Sequence, residues 1–211
     1  MKKLLLLGAL ISSVAMAGVV EVRVGADLAN SAKESNGYFE INKDVLKRGF
    51  ELAAEYRTPI TENFELGGGI AYHYNKLSDK DISFDYDMSG LHAVPVYATA
   101  RYNFKNSSEV TPYVKANLGI AFNSGKASYN YSSSLVSVSS DWKFKSGFYY
   151  GVGAGIQYKN FIADLSYNIN AIRGKYTYNE TIPGVSSYSE EDKFTLNHGM
   201  LTLSLGYTFG F

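Results

Sequence analysis

Apolar and non-apolar residues alternate with a period of two over most of this chain, the pattern of strands whose two faces meet different surroundings. Eight such segments can be read. In the first, Val20, Val22, Val24, Ala26 and Leu28 share one face, and Glu21, Arg23, Gly25 and Asp27 the other. The second sets Phe50, Leu52, Ala54 and Tyr56 against Glu51, Ala53, Glu55 and Arg57. The third opposes Phe64, Leu66, Ile70, Tyr72 and Tyr74 to Glu65, Gly67, Gly69, Ala71 and His73; the fourth opposes Val94, Val96, Ala98, Ala100, Tyr102 and Phe104 to Tyr97, Thr99, Arg101 and Asn103. The scheme repeats over 113–122, 148–158, 161–170 and 201–211. No stretch of comparable length carries a helical period.

The connections alternate as well. Those after the second, fourth and sixth segments are short, over 58–63, 105–109 and 159–160; those after the first, third, fifth and seventh are long and polar, over 30–47, 76–91, 123–143 and 171–197. Short turns at one end and long loops at the other predict an all-β fold, an eight-stranded antiparallel up-and-down transmembrane barrel. Side-chain size decides which face is outside. An eight-stranded interior has room for little more than the side chains that fill it, and the apolar face is too bulky to fit. The other face mixes glycine and small polar residues with a few long charged ones, so the apolar face is expected to meet lipid. Pro95 conflicts with a closed ladder because it lacks an N–H, and a bulge or strand start is expected there.

Residues 1–17 read as a secretory signal peptide, with Lys2 and Lys3 before an apolar run and Ala15-Met16-Ala17 as the cleavage site. The mature barrel is then expected to span 18–211. The chain has no cysteine, so a lipid anchor on a cysteine is excluded, as is a disulfide framework. Twenty basic residues balance 20 acidic ones, which argues against a nucleic-acid partner. Mean hydropathy of -0.14 hides the membrane face because it averages two opposed faces.

Aromatics are 15% of the chain, and their placement is as ordered as the alternation. Tyr56, Phe64, Tyr102, Phe104, Tyr158, Phe161 and Tyr207 fall at the short-turn end, and Phe50, Tyr72, Tyr74, Phe122 and Phe148 near the long-loop end. Two girdles around an aliphatic band suit the two interfaces of a bilayer. The terminus, from Ser204 through Gly206, Tyr207 and Phe209 to Phe211, is similar to the insertion signal of outer-membrane barrels, and 94–97 and 111–114 are weaker family-like stretches. With these features the chain resembles the eight-stranded opacity-protein and OmpX-like group and the membrane domain of OmpA. The resemblance implies a Gram-negative outer membrane, periplasmic N- and C-termini, lipid and lipopolysaccharide around the barrel, and a monomer. It also implies periplasmic chaperones and the barrel-assembly machinery as partners during insertion. The peptidoglycan-binding domain of full-length OmpA is expected to be absent.

The inward faces collect Glu21, Arg23, Asp27, Glu51, Glu55, Arg57, Glu65, Arg101, Lys115 and Asp164, with Lys145 near a rim. Charges in so narrow a space must pair, and Arg23 with Glu51 and Arg57 with Glu65 are expected partners. Such a lumen is either a hydrogen-bonded plug or a narrow pore. His73 and His198 are expected inward and His92 outward, an arrangement that forms neither a catalytic group nor a metal cluster. No catalytic residue, cofactor or metal is therefore expected, and a lipid-modifying enzyme is the least favoured reading. The acidic stretches Asp79, Asp81, Asp85, Asp87 and Glu190-Glu191-Asp192 lack a calcium-loop pattern. The serine-rich 129–140 segment is expected to extend its hairpin above the membrane. Function is expected in structure and surface display, with the long loops used for adhesion or recognition of a host or bacterial surface partner.

Overall fold

The computed structural model describes residues 18–34, 46–77, 86–88 and 90–210. Its strands are β1 (Val19–Glu34), β2 (Leu46–Pro59), β3 (Phe64–Leu77), β4 (Tyr86–Met88), β5 (Leu91–Asn103), β6 (Val110–Ser124), β7 (Lys126–Ser132), β8 (Ser137–Tyr158), β9 (Phe161–Ile182) and β10 (Ser186–Gly210). Every pairing is antiparallel, and β8–β9 closes a ring of β1, β2, β3, β5, β6, β8, β9 and β10. Closure leaves no edge, so the backbone can satisfy itself without water. The segments 1–17, 35–45 and 78–85, and with them the expected signal peptide and Asp79, Asp81 and Asp85 of the acidic stretch, lie outside the described residues.

The short connections are tight. Lys159 and Asn160 alone join β8 to β9, and Lys159 adopts φ 54° to make the reversal. At the other end the expected loop over 171–197 is strand instead, and the hairpin expected over 129–140 forms. β9 and β10 continue as a hairpin to a turn in which Gly184 takes φ 78° and Val185 N donates to the Ile182 carbonyl at 3.1 Å. Proline before glycine suits that turn, since Pro183 presets its own φ and Gly184 tolerates the positive one. β7 and upper β8 form a second hairpin, and β4 adds to β7. A sheet of β4, β7, β8, β9 and β10 thus stands above one side of the ring.

Two local expectations change. Pro95 sits in an unbroken strand: β5 keeps one register against β6 throughout. Against β3 the register is also kept, but no pairs form between Ile70↔Val96 and His73↔Ala93. The missing N–H therefore interrupts the ladder on the β3 side alone, without a bulge. Besides register shifts between Asp27 and Ala29 of β1 and between Leu46 and Gly49 of β2, a bulge lies between Lys145 and Phe148 of β8. It reverses the parity of the strand, so Lys145 stands opposite Arg173 on the outer face rather than inward.

Burial follows parity. The outward Leu52, Ile70, Val96, Leu118, Val152 and Leu205 are exposed as a coat, while the charged inward residues are almost wholly enclosed. Glycines on the inward faces make room: a Cβ at Gly153 would meet Lys115 Cε at 3.0 Å. Above the lumen, Leu91, Ile172, Phe194 and Leu196 form an apolar cluster against which Trp142, Phe144 and Tyr176 pack.

Candidate functional site

The lumen holds a closed cycle of two arginines and two glutamates from β1 and β2. Arg23 donates from Nη1 to Glu21 Oε1 at 2.6 Å and from Nη2 to Glu55 Oε1 at 2.7 Å. Arg57 donates from Nη2 to Glu21 Oε2 at 2.5 Å and from Nη1 to Glu55 Oε2 at 2.7 Å. Planar guanidinium forks suit this double bridging in a way an ammonium could not. All four side chains are at most 2% exposed. Arg23 thus turns to Glu21 and Glu55 and not to the expected Glu51: β1 pairs it with Ala53, midway between the two glutamates, and Arg57 and Tyr97 hold Glu55 in place.

The cycle is anchored around the barrel wall. Arg57 Nε donates to Glu65 Oε2 at 2.9 Å, and Asn103 Nδ2 donates to Glu65 Oε1 at 2.8 Å. Arg101 reaches Asn103 Oδ1 at 2.7 Å and Gln157 Oε1 at 2.6 Å, lies 3.4 Å from Glu21, and stacks 3.6 Å over the Tyr113 ring. Tyr113 and Lys115 both reach Asp164 Oδ2 at 3.0 Å. On the loop side of the cycle the acids use neutral donors. Asp27 accepts from Asn75 at 2.7 Å and from Thr202 at 2.8 Å, and Glu51 accepts from Ser204 at 3.4 Å.

Each of the ten charges named from the sequence thus stands in the lumen, with Glu65 nearest solvent. The sequence reasoning left out the phenols. Tyr97 donates to Glu55 Oε1 at 2.9 Å, and Tyr97, Tyr113 and Tyr149 are buried among the charges. Parity alone placed them inward, and that was the signal to include them. His73 lies 3.2 Å from Glu51 and 3.5 Å from the Tyr149 hydroxyl; His198 lies 3.2 Å from Asn30. His92 faces outward and shares a 2.7 Å hydrogen bond with Tyr72. Among the described residues no three His, Cys, Asp or Glu side chains gather to hold a metal ion.

The outer face carries the aromatics in two belts. At the short-turn end Tyr102 packs on Phe104 with centroids 5.1 Å apart, and Phe161 on Tyr207 at 5.3 Å, with Tyr56, Phe64 and Tyr158 around the same rim. At the other end Phe50 packs on Tyr72 and Tyr74 at 6.0 and 5.8 Å. Of the residues expected to form an insertion signal, Ser204 is buried in the lumen, Gly206 leaves no space for a Cβ against the Val22 carbonyl, and Phe209 faces outward. Phe211 lies outside the described residues. Beyond the membrane band, Lys175 forms an ion pair with Glu191, whose carboxyl is held below the usual carboxylate range by that hydrogen bond.

A closed ring with an apolar coat, two aromatic belts and an ion-paired interior defines an integral outer-membrane β-barrel. The chain belongs to the outer membrane protein beta-barrel domain family, whose model matches residues 4–209, and its place is the Gram-negative outer membrane. It is 26% identical over 191 residues to the uncharacterised protein PM1543 of Pasteurella multocida (strain Pm70), covering 79% of this chain and 77% of that one. Among solved structures it is similar to OprG of Pseudomonas aeruginosa, with a TM-score of 0.50 at 12% identity over 92% of this chain and 95% of that one. Neisserial surface protein A (NspA) gives a TM-score of 0.46 at 20% identity over 92% and 99%. At 12% identity the likeness to OprG speaks to the fold alone.

Proposed function

We propose that the protein is a monomeric, non-enzymatic scaffold that holds a rigid barrel in the outer membrane and displays its long hairpins outside, with both termini in the periplasm. The observation that carries this reading is the division of labour along the strands. The membrane section is cross-linked inside by the Glu21–Arg23–Glu55–Arg57 cycle, while β8, β9 and β10 continue past it as an exposed sheet. A plug of paired charges resists opening, since separating its members strands charges in a low dielectric. The hairpins present polar, serine- and tyrosine-rich surface suited to recognising a host or bacterial surface partner.

Chaperones and the barrel-assembly machinery would act on the terminal strand, through Ser204, Gly206, Phe209 and Phe211, during insertion. A narrow channel is the second reading, favoured only by the continuous polar lumen. Single-channel recording of pure protein beside an Arg101→Glu variant separates the two: a scaffold gives no events, and charge-dependent events would establish a pore. Trimming the long hairpins to short turns tests display, because unchanged partner binding by the trimmed barrel would refute it.

A further inference from the structure

Four lysines stand in one cross-strand row above the ring. Lys126 of β7 pairs in register with Lys143 of β8, Lys143 with Lys175 of β9, and Lys175 with Lys193 of β10. The next row toward the membrane is Lys145, Arg173 and Thr195. Like charges directly opposed on a sheet repel, so a sheet selected for stability alone would not repeat them across successive strands. The row farther out, with Asp141 and Glu191, offsets this in part. Yet of Lys143, Lys145, Arg173, Lys175 and Lys193 only Lys175 forms an ion pair, with Glu191; the other four are exposed and reach no carboxylate of the described residues within 4.0 Å.

The face and height of these cations point to their partner. β9 pairs with β10 in unbroken register, so Arg173 and Lys175 share a face with the lipid-facing Phe161, Leu165 and Tyr167. The opposite face of the same sheet carries Ile172, Trp142 and Phe194 around the apolar cluster. Twelve residues separate Arg173 from Phe161 in the lower girdle, and at about 3.3 Å per residue and a tilt of about 40° that is roughly 30 Å along the membrane normal. The apolar band of such barrels is about 25 Å tall. Arg173 thus clears the hydrocarbon, and the lysine row follows within one further pair of residues. Lys145, Arg173, Lys193 and Thr195 line, together with Asn123, Phe144 and Phe194 from the other face, one hollow of about 790 Å³ at the β8 bulge.

We infer that this outward basic row binds the phosphates of the outer-leaflet glycolipid, the phosphorylated glucosamine headgroup of lipid A. The patch continues the lipid-facing surface upward, at the depth where that headgroup lies, and its charge is complementary. Bound phosphates would also remove the repulsion along the row. The inference rests on the proposed orientation with the long hairpins outside.

Trp142, the chain's one tryptophan, precedes Lys143 in β8 with its ring on the opposite face of the sheet, and its emission is followed as a reporter of changes in that sheet. The full barrel in neutral detergent is titrated with bisphosphorylated lipid A, with its dephosphorylated form, and with heparin as a soluble polyanion. The expected result is a saturable change in Trp142 emission with the phosphorylated lipid alone. K143Q/K175Q/K193Q should weaken it on the order of 100-fold, at about fivefold per lysine near an anionic leaflet, while keeping the heat-modifiable gel migration of a folded barrel. The variant should also resist urea at least as well as the parent without lipid, because repulsion is relieved. Equal binding by parent and variant, or binding without phosphate, overturns the inference. Preference for heparin overturns it in favour of a soluble surface polysaccharide. A Ser189→Cys variant probed with an impermeant maleimide on intact cells separates a failure of orientation from a failure of the site. Labelling only after permeabilisation would overturn both, and labelling on intact cells leaves lipid binding to be decided by the titration.

Discussion

The Tyr97 ring occupies the space that a side chain at position 69 would fill: a Cβ on Gly69 would lie 2.7 Å from Tyr97 Cζ. Gly69 pairs with Tyr97 on β5 and with Glu55 on β2. The absent side chain therefore lets the phenol cross β3 and donate to Glu55 at 2.9 Å, tying β5 to the arginine cycle.

Gly69→Val should displace that ring and cost about 1–3 kcal/mol, the usual range for overpacking. Its effect should depend on Tyr97. In a cycle with Tyr97→Ala, read from urea unfolding in lipid vesicles, coupling of about 1 kcal/mol or more is expected for groups in contact. Additive losses would mean that the strand, and not the ring, limits position 69.

Arg57 touches three carboxylates, those of Glu21, Glu55 and Glu65. Arg57→Met should lower the unfolding free energy by about 3–5 kcal/mol, because it leaves buried charge uncompensated. Arg57→Lys should fall between, since one ammonium cannot bridge all three. A loss below about 1 kcal/mol for the methionine variant would show a lumen wet enough to solvate its acids.

Much of this was legible in the sequence because a period of two has a single structural meaning. Once Glu21, Arg23, Glu55 and Arg57 shared parity on neighbouring strands, their meeting inside the barrel followed. Which glutamate each arginine chose was not legible. Glu51 and Glu55 flank the register partner of Arg23 symmetrically, and the choice depends on Arg57 and Tyr97 from outside that pair. Lys145 was misplaced because a bulge shifts parity without a marker at the residue itself. The hairpin over 171–197 read as a loop because above Tyr176 and Asp192 both its faces meet water and apolar residues no longer alternate with polar ones, although below them Ile172, Phe194 and Leu196 are buried. Over 129–140 enough alternation survives for the extended hairpin to be legible, and β7 with upper β8 forms it.

The lipid-facing surface predicts a depth dependence. Leu118 is 65% exposed at the centre of outward β6, and Phe161 is 64% exposed at the short-turn rim. Leu118→Arg should cost about 2–4 kcal/mol and Phe161→Arg about 0–1 for its charge, as expected for midplane and interfacial positions. Unfolding of both variants from vesicles checks this. Equal costs would mean that the aromatic rows do not mark the interfaces.

The final prediction separates the display sheet from the barrel that carries it. Residues 177–191 pair only with one another and with upper β8, and they supply none of the lumen groups. Tyr176 and Asp192 are register partners, so a two-residue Asn-Gly turn can join them without changing the pairs below. The apolar cluster around Ile172 and Phe194 stays covered by Trp142 and Tyr176. The shortened chain should reach the outer membrane, keep its heat-modifiable migration, and unfold within about 1 kcal/mol of the parent, as expected when distant, independent groups are removed. Loss of the folded band would show instead that the upper hairpin is needed to close β8 on β9, and that barrel and display sheet are one cooperative unit.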